Sequence, residues 1–379
     1  MLTKLDETLR HQTSSTFDHV YTSDHRFFDR YWFGAYDPEG KAHLVLGLAT
    51  YVNMDVMDGF VAIQKPDGNG KILQHNFRVS RALRPNHDDS SVGPLSVEIL
   101  EPFKKIRLRF DDPKQELKVD LEWEALLPPA EEGHHFNRAN GRAFQDYHRY
   151  NQVGKVNGEL VLHGETLAVR DWSGGRDHSW GVRSQVGGYE PATNALGDKV
   201  MAAFGYIFTW LTFTAGDVGG YIQCQLLGNG MVIYTDGVIG NPATGATAKV
   251  VKVDFQAKFH EDTRIVSHLV TTATLDNGKT LVLEMEPITG YWSMDGTGYD
   301  WGWDDGKGLG FNRGDYCEER DVFDITHPEE VARADGRRYK PGHREAPMSI
   351  RATIDGATHP GTGHQVFVVS GQSTYFGIK

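Results

Sequence analysis

The sequence predicts an all-β protein built from two consecutive antiparallel β domains. Three observations carry that expectation. Apolar and polar residues alternate over several stretches, turn residues recur at the short spacing of strand-and-turn folds, and the 379 residues exceed what one hydrophobic core usually organises. The clearest alternation is Leu117, Val119, Leu121, Trp123 and Ala125 against Lys118, Asp120, Glu122 and Glu124, preceded by Ile106, Leu108 and Phe110 against Arg107 and Arg109. Such a period of two places one side of each strand in a core and the other in water.

In chain order, residues 1–30 show no sustained period and are expected to form a short helix or an arm. Strands are expected from Tyr31 to Tyr36, Ala42 to Val52 and Phe60 to Lys65, closed by the turns Asp37-Pro-Glu-Gly40 and Pro66-Asp-Gly-Asn-Gly70. After Leu127-Pro-Pro-Ala130, the segment Glu131 to Gln152 reads as a polar, His- and Tyr-bearing connection with weak helical character. Its His134, His135, Tyr147, His148 and Tyr150 would cover a cavity mouth or simply lie on the surface. Asn157-Gly158 and His163-Gly164-Glu165 read as tight turns.

A second strand series follows: Tyr206 to Thr214, Tyr221 to Leu227, Met231 to Val238, Ala248 to His260, Ile265 to Leu275 and Thr280 to Glu286, with closing strands at Ser349 to Ile354 and Gln365 to Ser370. Two features interrupt it. Residues 290–316 are rich in Gly, Asp, Trp and Tyr, and within them Tyr291–Asp295 and Tyr299–Asp305 are expected to form an aromatic lid or a surface loop. Thr326-His-Pro-Glu329 reads as a capping box opening a short helix that ends near Gly336. The expected domains are 1–184 and 185–379, each able to form a barrel that encloses a small ligand.

Composition narrows the partners. A formal charge of −12 argues against nucleic acid or anionic membrane as a partner, since both are bound through a concentrated positive surface. The longest apolar run, Met201 to Leu211, is about half of the roughly 20 residues that span a bilayer, so no membrane insertion is expected. Cys224 and Cys317 are too few for a disulfide framework, and the start Met1-Leu-Thr-Lys-Leu-Asp-Glu has no apolar leader, which points to the cytoplasm. A hydrophobic small molecule is the expected partner, and self-association into a homodimer is left open.

The densest chemistry lies in Asp171 to Arg183, which reads Asp-Trp-Ser-Gly-Gly-Arg-Asp-His-Ser-Trp-Gly-Val-Arg. As an extended strand it puts Arg176, His178 and Trp180 on one face and Asp177 and Ser179 on the other. Imidazole titrates near neutrality and serves as acid or base, with Asp177 or Asp171 as candidate orienting carboxylates. Trp180 offers a π surface and Arg176 a fork of donors for an oxyanion. The alternative role for Arg176 and Asp177 is a buried pair bracing the domain junction. No metal or redox cofactor is expected. His134-His135 and His359 with His364 lack zinc spacing, Gly306-x-Gly308-x-Gly310 lacks the dinucleotide pattern, and no Gly-x-Ser-x-Gly elbow is present.

Gly175-Arg-Asp-His-Ser-Trp-Gly181, followed by a second β domain, resembles the two-domain lipocalin-like family of the carotenoid 1,2-hydratases. The resemblance implies two lipocalin-like barrels or sandwiches with a few short helices, and a cofactor-independent hydratase, lyase or isomerase chemistry. It points to His178 and Trp180 as site residues and to Tyr206 as the counterpart of a family tyrosine. No carboxylate follows in Tyr206-Ile-Phe-Thr-Trp210, so Asp177 or Asp171 would have to supply it, or His178 would do the work alone. Together with the residues above, the expected catalytic set is His178, Asp177 and Tyr206, and the expected substrate-binding set is Trp180, Arg176, Trp210 and Trp172. The substrate class is a terpenoid or polyene, or an aromatic phenylpropanoid-like compound; a non-catalytic carrier of an apolar ligand is the competing reading.

Overall fold

The structure, a computed structural model, describes residues 2–139, 142–187 and 204–378. It is all-β, as the alternation predicts. The first half supplies β1 (Phe27–Tyr36), β2 (His43–Tyr51), β3 (Val56–Pro66), β4 (Ile72–Ala82), β5 (Ser91–Val92), β6 (Leu95–Glu101), β7 (Lys105–Asp112), β8 (Leu117–Ala125), β9 (Ala130–Glu131), β10 (His135–Ala139), β11 (Arg142–Leu162) and β12 (Glu165–Arg183). The second half supplies β13 (Tyr206–Ala215), β14 (Val218–Leu227), β15 (Val232–Gly240), β16 (Thr247–Phe259), β17 (Val266–Leu275), β18 (Thr280–Pro287), β19 (Trp292–Ser293), β20 (Tyr316–Asp324), β21 (Val331–Arg333), β22 (Arg338–Tyr339), β23 (Arg344–Ile354) and β24 (Ala357–Ser370). Short 3₁₀ turns such as Val52–Met54 and Met294–Thr297 punctuate them.

Strands β13 to β18 run in sequence order, β24 and β23 follow on β13, and β23 pairs with β18, so these eight strands close into a barrel. The larger sheet follows the order β5-β6-β7-β8-β11-β12-β1-β2-β3-β4 and continues into β20, β21 and β22. Its alternation is the predicted one. Leu117, Val119, Leu121 and Trp123 are buried, while Lys118 and Glu124 are exposed. The sheet curls until Phe33, Leu46, Val61 and Phe77 from one half meet Ile106, Leu108, Phe110 and Trp123 from the other in one core. A second core fills the barrel.

The middle of β1 and β12, Trp32 to Tyr36 and Trp172 to Arg176, is buried on both faces. Their front faces join the sheet core through Phe33 and Trp172. Their back faces pack on the barrel: Trp32 meets Trp210 edge-on at 5.3 Å, and the Ser173 hydroxyl bonds Thr214 Oγ1 at 2.8 Å and the Thr362 carbonyl at 3.0 Å. Gly175 is required here, because a Cβ on it would lie 2.2 Å from Thr212 Oγ1.

Four local expectations are corrected. Residues 142–152 are strand, not a weakly helical connection. Their back face is polar, Tyr147, Arg149 and Asn151, and is satisfied by polar partners such as Glu132, so no hydrophobic period marks it. Asn157-Gly158 is not a turn but a bulge within β11, where Gly158 takes φ +140° against the Asp120 carbonyl. Thr326 does not cap a helix: its hydroxyl accepts from the Ile72 N–H and donates to Asp324, and the segment enters β21. The segment from Tyr291 to Gly298 is neither lid nor surface loop but a buried bridge. Gln74 Nε2 donates to the Ser293 carbonyl at 2.8 Å, and Arg78 Nη1 to the Gly296 carbonyl at 2.8 Å. Of the apolar run, Tyr206 to Leu211 is in β13 and residues 201–203 lie outside the described residues. Among the described residues no helix is long and apolar enough to cross a membrane.

Candidate active site

The register of β12 against its two neighbours builds the site. Tyr31 of β1 and Tyr150 of β11 both stand opposite His178, and Asp29 stands opposite Trp180. With side chains alternating, Asp29, Tyr31, Tyr150, Arg176, His178 and Trp180 share the front face at the open end of the curled sheet. The β6–β7 hairpin reaches over them with Ile99, Pro102, Phe103 and Ile106, and the space between is a cavity of about 410 Å³.

His178 is held at both ring nitrogens. Nε2 lies 2.6 Å from Asp29 Oδ1 and Nδ1 lies 3.2 Å from the Tyr150 hydroxyl. With a proton on Nε2 the ring donates to the carboxylate, and Nδ1 then accepts from the phenol. Tyr31 packs on the imidazole with ring centroids 4.5 Å apart, and Trp180 at 5.3 Å. Burial, with Asp29 and Tyr150 nearby, pushes the Tyr31 phenol up to about 12, so its hydroxyl stays a donor through the neutral range. Tyr150 is raised as well, by burial, against the pull of Arg176.

Arg176 forms the floor of the cavity at 2% exposure. Nε and Nη2 donate to Gln152 Oε1 at 3.0 and 2.8 Å, and Nη2 also reaches the Tyr150 hydroxyl at 3.3 Å. Among the described residues no carboxylate lies within ion-pair distance of it. Its guanidinium instead sits 5.0 Å from the Trp123 ring centre and 5.2 Å from that of Tyr150. Burial lowers its pKa, and the ring faces offset part of the desolvation, about 0.5–2 kcal/mol per contact. An anionic oxygen entering the cavity would meet an unpaired cation.

The predicted residues fall into two groups. Arg176, His178 and Trp180 come together in the cavity. Asp177 is on the opposite face of β12, among Arg30, Arg149 and Arg183, and burial raises its carboxyl despite them; the carboxylate that reaches His178 is Asp29. Trp172 is in the sheet core. Trp210 lies between sheet and barrel, its Nε1 donating to Asn151 Oδ1 at 3.0 Å. Tyr206 begins β13 and does not line the cavity; burial raises its phenol. Asp29 and Tyr31 were missed, and Tyr150 was read only as a cover. Asp29 and Tyr31 come from β1, far away in sequence, where only the non-local pairing register would find them, and Tyr150 comes from β11, the hairpin partner of β12, whose register across the turn at His163-Gly164 sets it opposite His178.

The sequence matches the model of a family of unknown function, DUF8625, over residues 2–334. No curated protein matches it. Among solved structures, a candidate AttH from Nitrosomonas europaea aligns with a TM-score of 0.50 at 13% identity, covering 94% of this chain and 97% of that one. Kievitone hydratase from Nectria haematococca aligns at 0.46 and 13%, covering 90% and 89%, and CghA with Sch210972 at 0.45 and 10%, covering 91% and 88%. The first of these likenesses is one of fold. On the match that spans most of its length, the chain belongs to DUF8625, a family of unknown function.

Proposed function

We propose that the protein is a cofactor-independent lyase or isomerase of hydratase type that moves protons on a hydrophobic small molecule bound in the His178 cavity. The observation that supports this reading is the chain Asp29–His178–Tyr150–Arg176, four polar groups in hydrogen-bond sequence beneath an apolar rim. In a dehydration, Tyr150 turns its hydroxyl from His178 Nδ1 toward the departing hydroxyl, and the nitrogen it frees takes the proton from the carbon next to a carbonyl. Arg176 and the Tyr31 hydroxyl hold the oxygen on which negative charge develops. Tyr150 gives its proton to the departing hydroxyl, which leaves as water, and the imidazolium returns a proton to the phenolate. The reverse order adds water. Trp180 and Phe103 would flank a planar or polyene body.

Exchange in heavy water tests the reading. Purified protein is incubated in D₂O with a panel of β-hydroxy ketones and their enones, and mass spectrometry reads deuterium incorporation or water loss. The expected result is turnover of at least one pair, slowed roughly 100- to 10,000-fold by His178→Gln or Tyr150→Phe, with binding retained. The apolar rim of Ile99, Pro102, Phe103 and Ile106 favours a second reading, a carrier. A carrier binds panel compounds without exchange, and its affinity follows Phe103 rather than His178.

A further inference from the structure

The aromatic stretch Tyr299–Asp305 takes no part in the His178 site, yet it walls a cleft of about 490 Å³ whose other wall is the β21–β22 hairpin. The two cavities share no lining residue. Asp300 and Trp301 take φ +50° and +66°, the left-handed region that a bulky side chain enters only at a cost, and such strain gathers at binding sites. Neighbours hold the turn in place. The Gly302 N–H donates to the Tyr299 carbonyl at 2.9 Å and the Asp304 N–H to Glu319 Oε2 at 3.0 Å, while buried Trp303 packs under the Arg313 guanidinium at 3.9 Å. What this backbone presents in the cleft wall is the Trp301 indole, 42% exposed. Around it stand three acceptors, Asp295, Asp300 and Asp304, and three donors, Arg333, Arg337 and Arg338. Asp295 is buried and takes the Ser293 and Tyr339 hydroxyls. The Asp304 carboxylate has no partner among the described residues.

Charge sets the kind of ligand. Each arginine already leans on an acid outside the lining: Arg333 on Asp321 at 3.5 Å, Arg337 on Asp335 at 2.5 Å and Arg338 on Glu330 at 2.7 Å. Arg78, Arg313 and Lys340 nearby are taken up by Glu319, Asp305 and Glu329. The three lining carboxylates are offset in turn by His343, 3.7 Å from Asp300, by buried Arg344, on which Asp295 acts, and by Lys307 of the same loop. With no spare charge of either sign, the carboxylates turn away an anion and the guanidiniums a cation. A hydroxyl both donates and accepts, so a ligand rich in hydroxyls bonds carboxylates and guanidiniums together. The rigid indole adds an apolar face for the C–H side of a ring at little entropic cost.

We infer that the cleft between the Asp300–Gly306 loop and the β21–β22 hairpin binds a neutral polyhydroxylated ring, a sugar or glycoside, stacked on Trp301 and hydrogen-bonded by Asp304 and the hairpin arginines. The site is separate from the His178 cavity and does not depend on the reaction proposed there. Calorimetric titration of the full chain tests it with the methyl pyranosides of glucose, galactose and mannose, each beside its 2-amino and 6-carboxylate counterparts. At least one neutral sugar should saturate, with a dissociation constant on the order of 1 mM for a single ring, tenfold or more tighter than both charged counterparts. Trp301→Gly and Asp304→Asn should each weaken it tenfold or more, and Phe103→Ala, in the His178 cavity, should leave it unchanged. Trp301→Gly should also melt no lower than the parent, because glycine takes a positive φ freely. Should Trp301→Gly fail to fold, Asp304→Asn, a same-sized change at an exposed residue, carries the test. The inference is overturned if no neutral sugar binds saturably, if a charged counterpart binds tighter, if Asp304→Asn or a folded Trp301→Gly keeps full affinity, or if Phe103→Ala abolishes binding.

Discussion

Asp29 earns its place at His178 by position rather than by burial. Its carboxylate is about half exposed (49%), so water screens it, and the 2.6 Å contact with Nε2 acts chiefly to fix which ring nitrogen carries the proton. The opposite nitrogen then faces Tyr150 as an acceptor. Asp29→Asn keeps the shape but presents an amide, which accepts less strongly and, flipped, would offer a hydrogen to Nε2 and drive the ring proton to the wrong side. On the proposed chemistry this substitution should lower kcat about 100-fold while changing KM little, because the group orients the imidazole and does not touch the apolar body of the substrate. Steady-state kinetics on whichever panel compound turns over will check it. A drop confined to KM would assign Asp29 to binding instead.

At the scale of elements, β12 divides labour between its faces, and the glycines mark where the barrel comes closest. A Cβ at Gly175 would stand 2.2 Å from Thr212 Oγ1 and 3.0 Å from Thr212 Cβ. Thr212 is 1% exposed and its hydroxyl has no partner, so it has neither room nor a bond that would guide it aside. Gly175→Ala should therefore cost about 1–3 kcal/mol by overpacking, read from urea unfolding, and Thr212→Ala in the same chain should recover most of it. Equal losses in single and double variants would place the strain elsewhere. The strand's alternation was legible in the sequence: a period of two separates Arg176, His178 and Trp180 from Asp177 and Ser179 without further information. The partners of those residues were not, because a strand's own pattern says nothing of which strand lies beside it. β11 was hidden for a different reason. Arg149 and Asn151 are buried by satisfying Glu132, and a polar interior leaves no hydrophobic period to find.

At the scale of the molecule, the chain crosses between its two halves more than a linear division at residue 184 suggests. After closing most of the barrel it returns through the buried bridge of Tyr291–Gly298 and lays β20 along β4, in register from Tyr316↔Arg81 to Asp324↔Leu73. That pairing brings Glu319 and Asp321 to Arg78, whose side chain is fully buried and whose Nη2 lies 3.2 Å from each. Sequence reading missed this, since nothing local in Tyr316–Asp324 names a partner over 230 residues earlier. A fragment ending at residue 187 would lose both carboxylates, expose the edge of β4 and uncover Trp32 and Arg30. Stripping a buried cation of its partners costs about 3–5 kcal/mol, a large share of the roughly 5–15 kcal/mol that holds a typical protein folded, and an open strand edge invites pairing with other chains. The fragment is therefore expected to associate and to melt without a cooperative transition, whereas the full chain should unfold in one step with coincident tryptophan fluorescence and near-ultraviolet circular dichroism. Sedimentation and urea titration of both will decide it: a fragment that remains monomeric and unfolds cooperatively would make the first sheet self-sufficient and reduce β20 to an accessory strand.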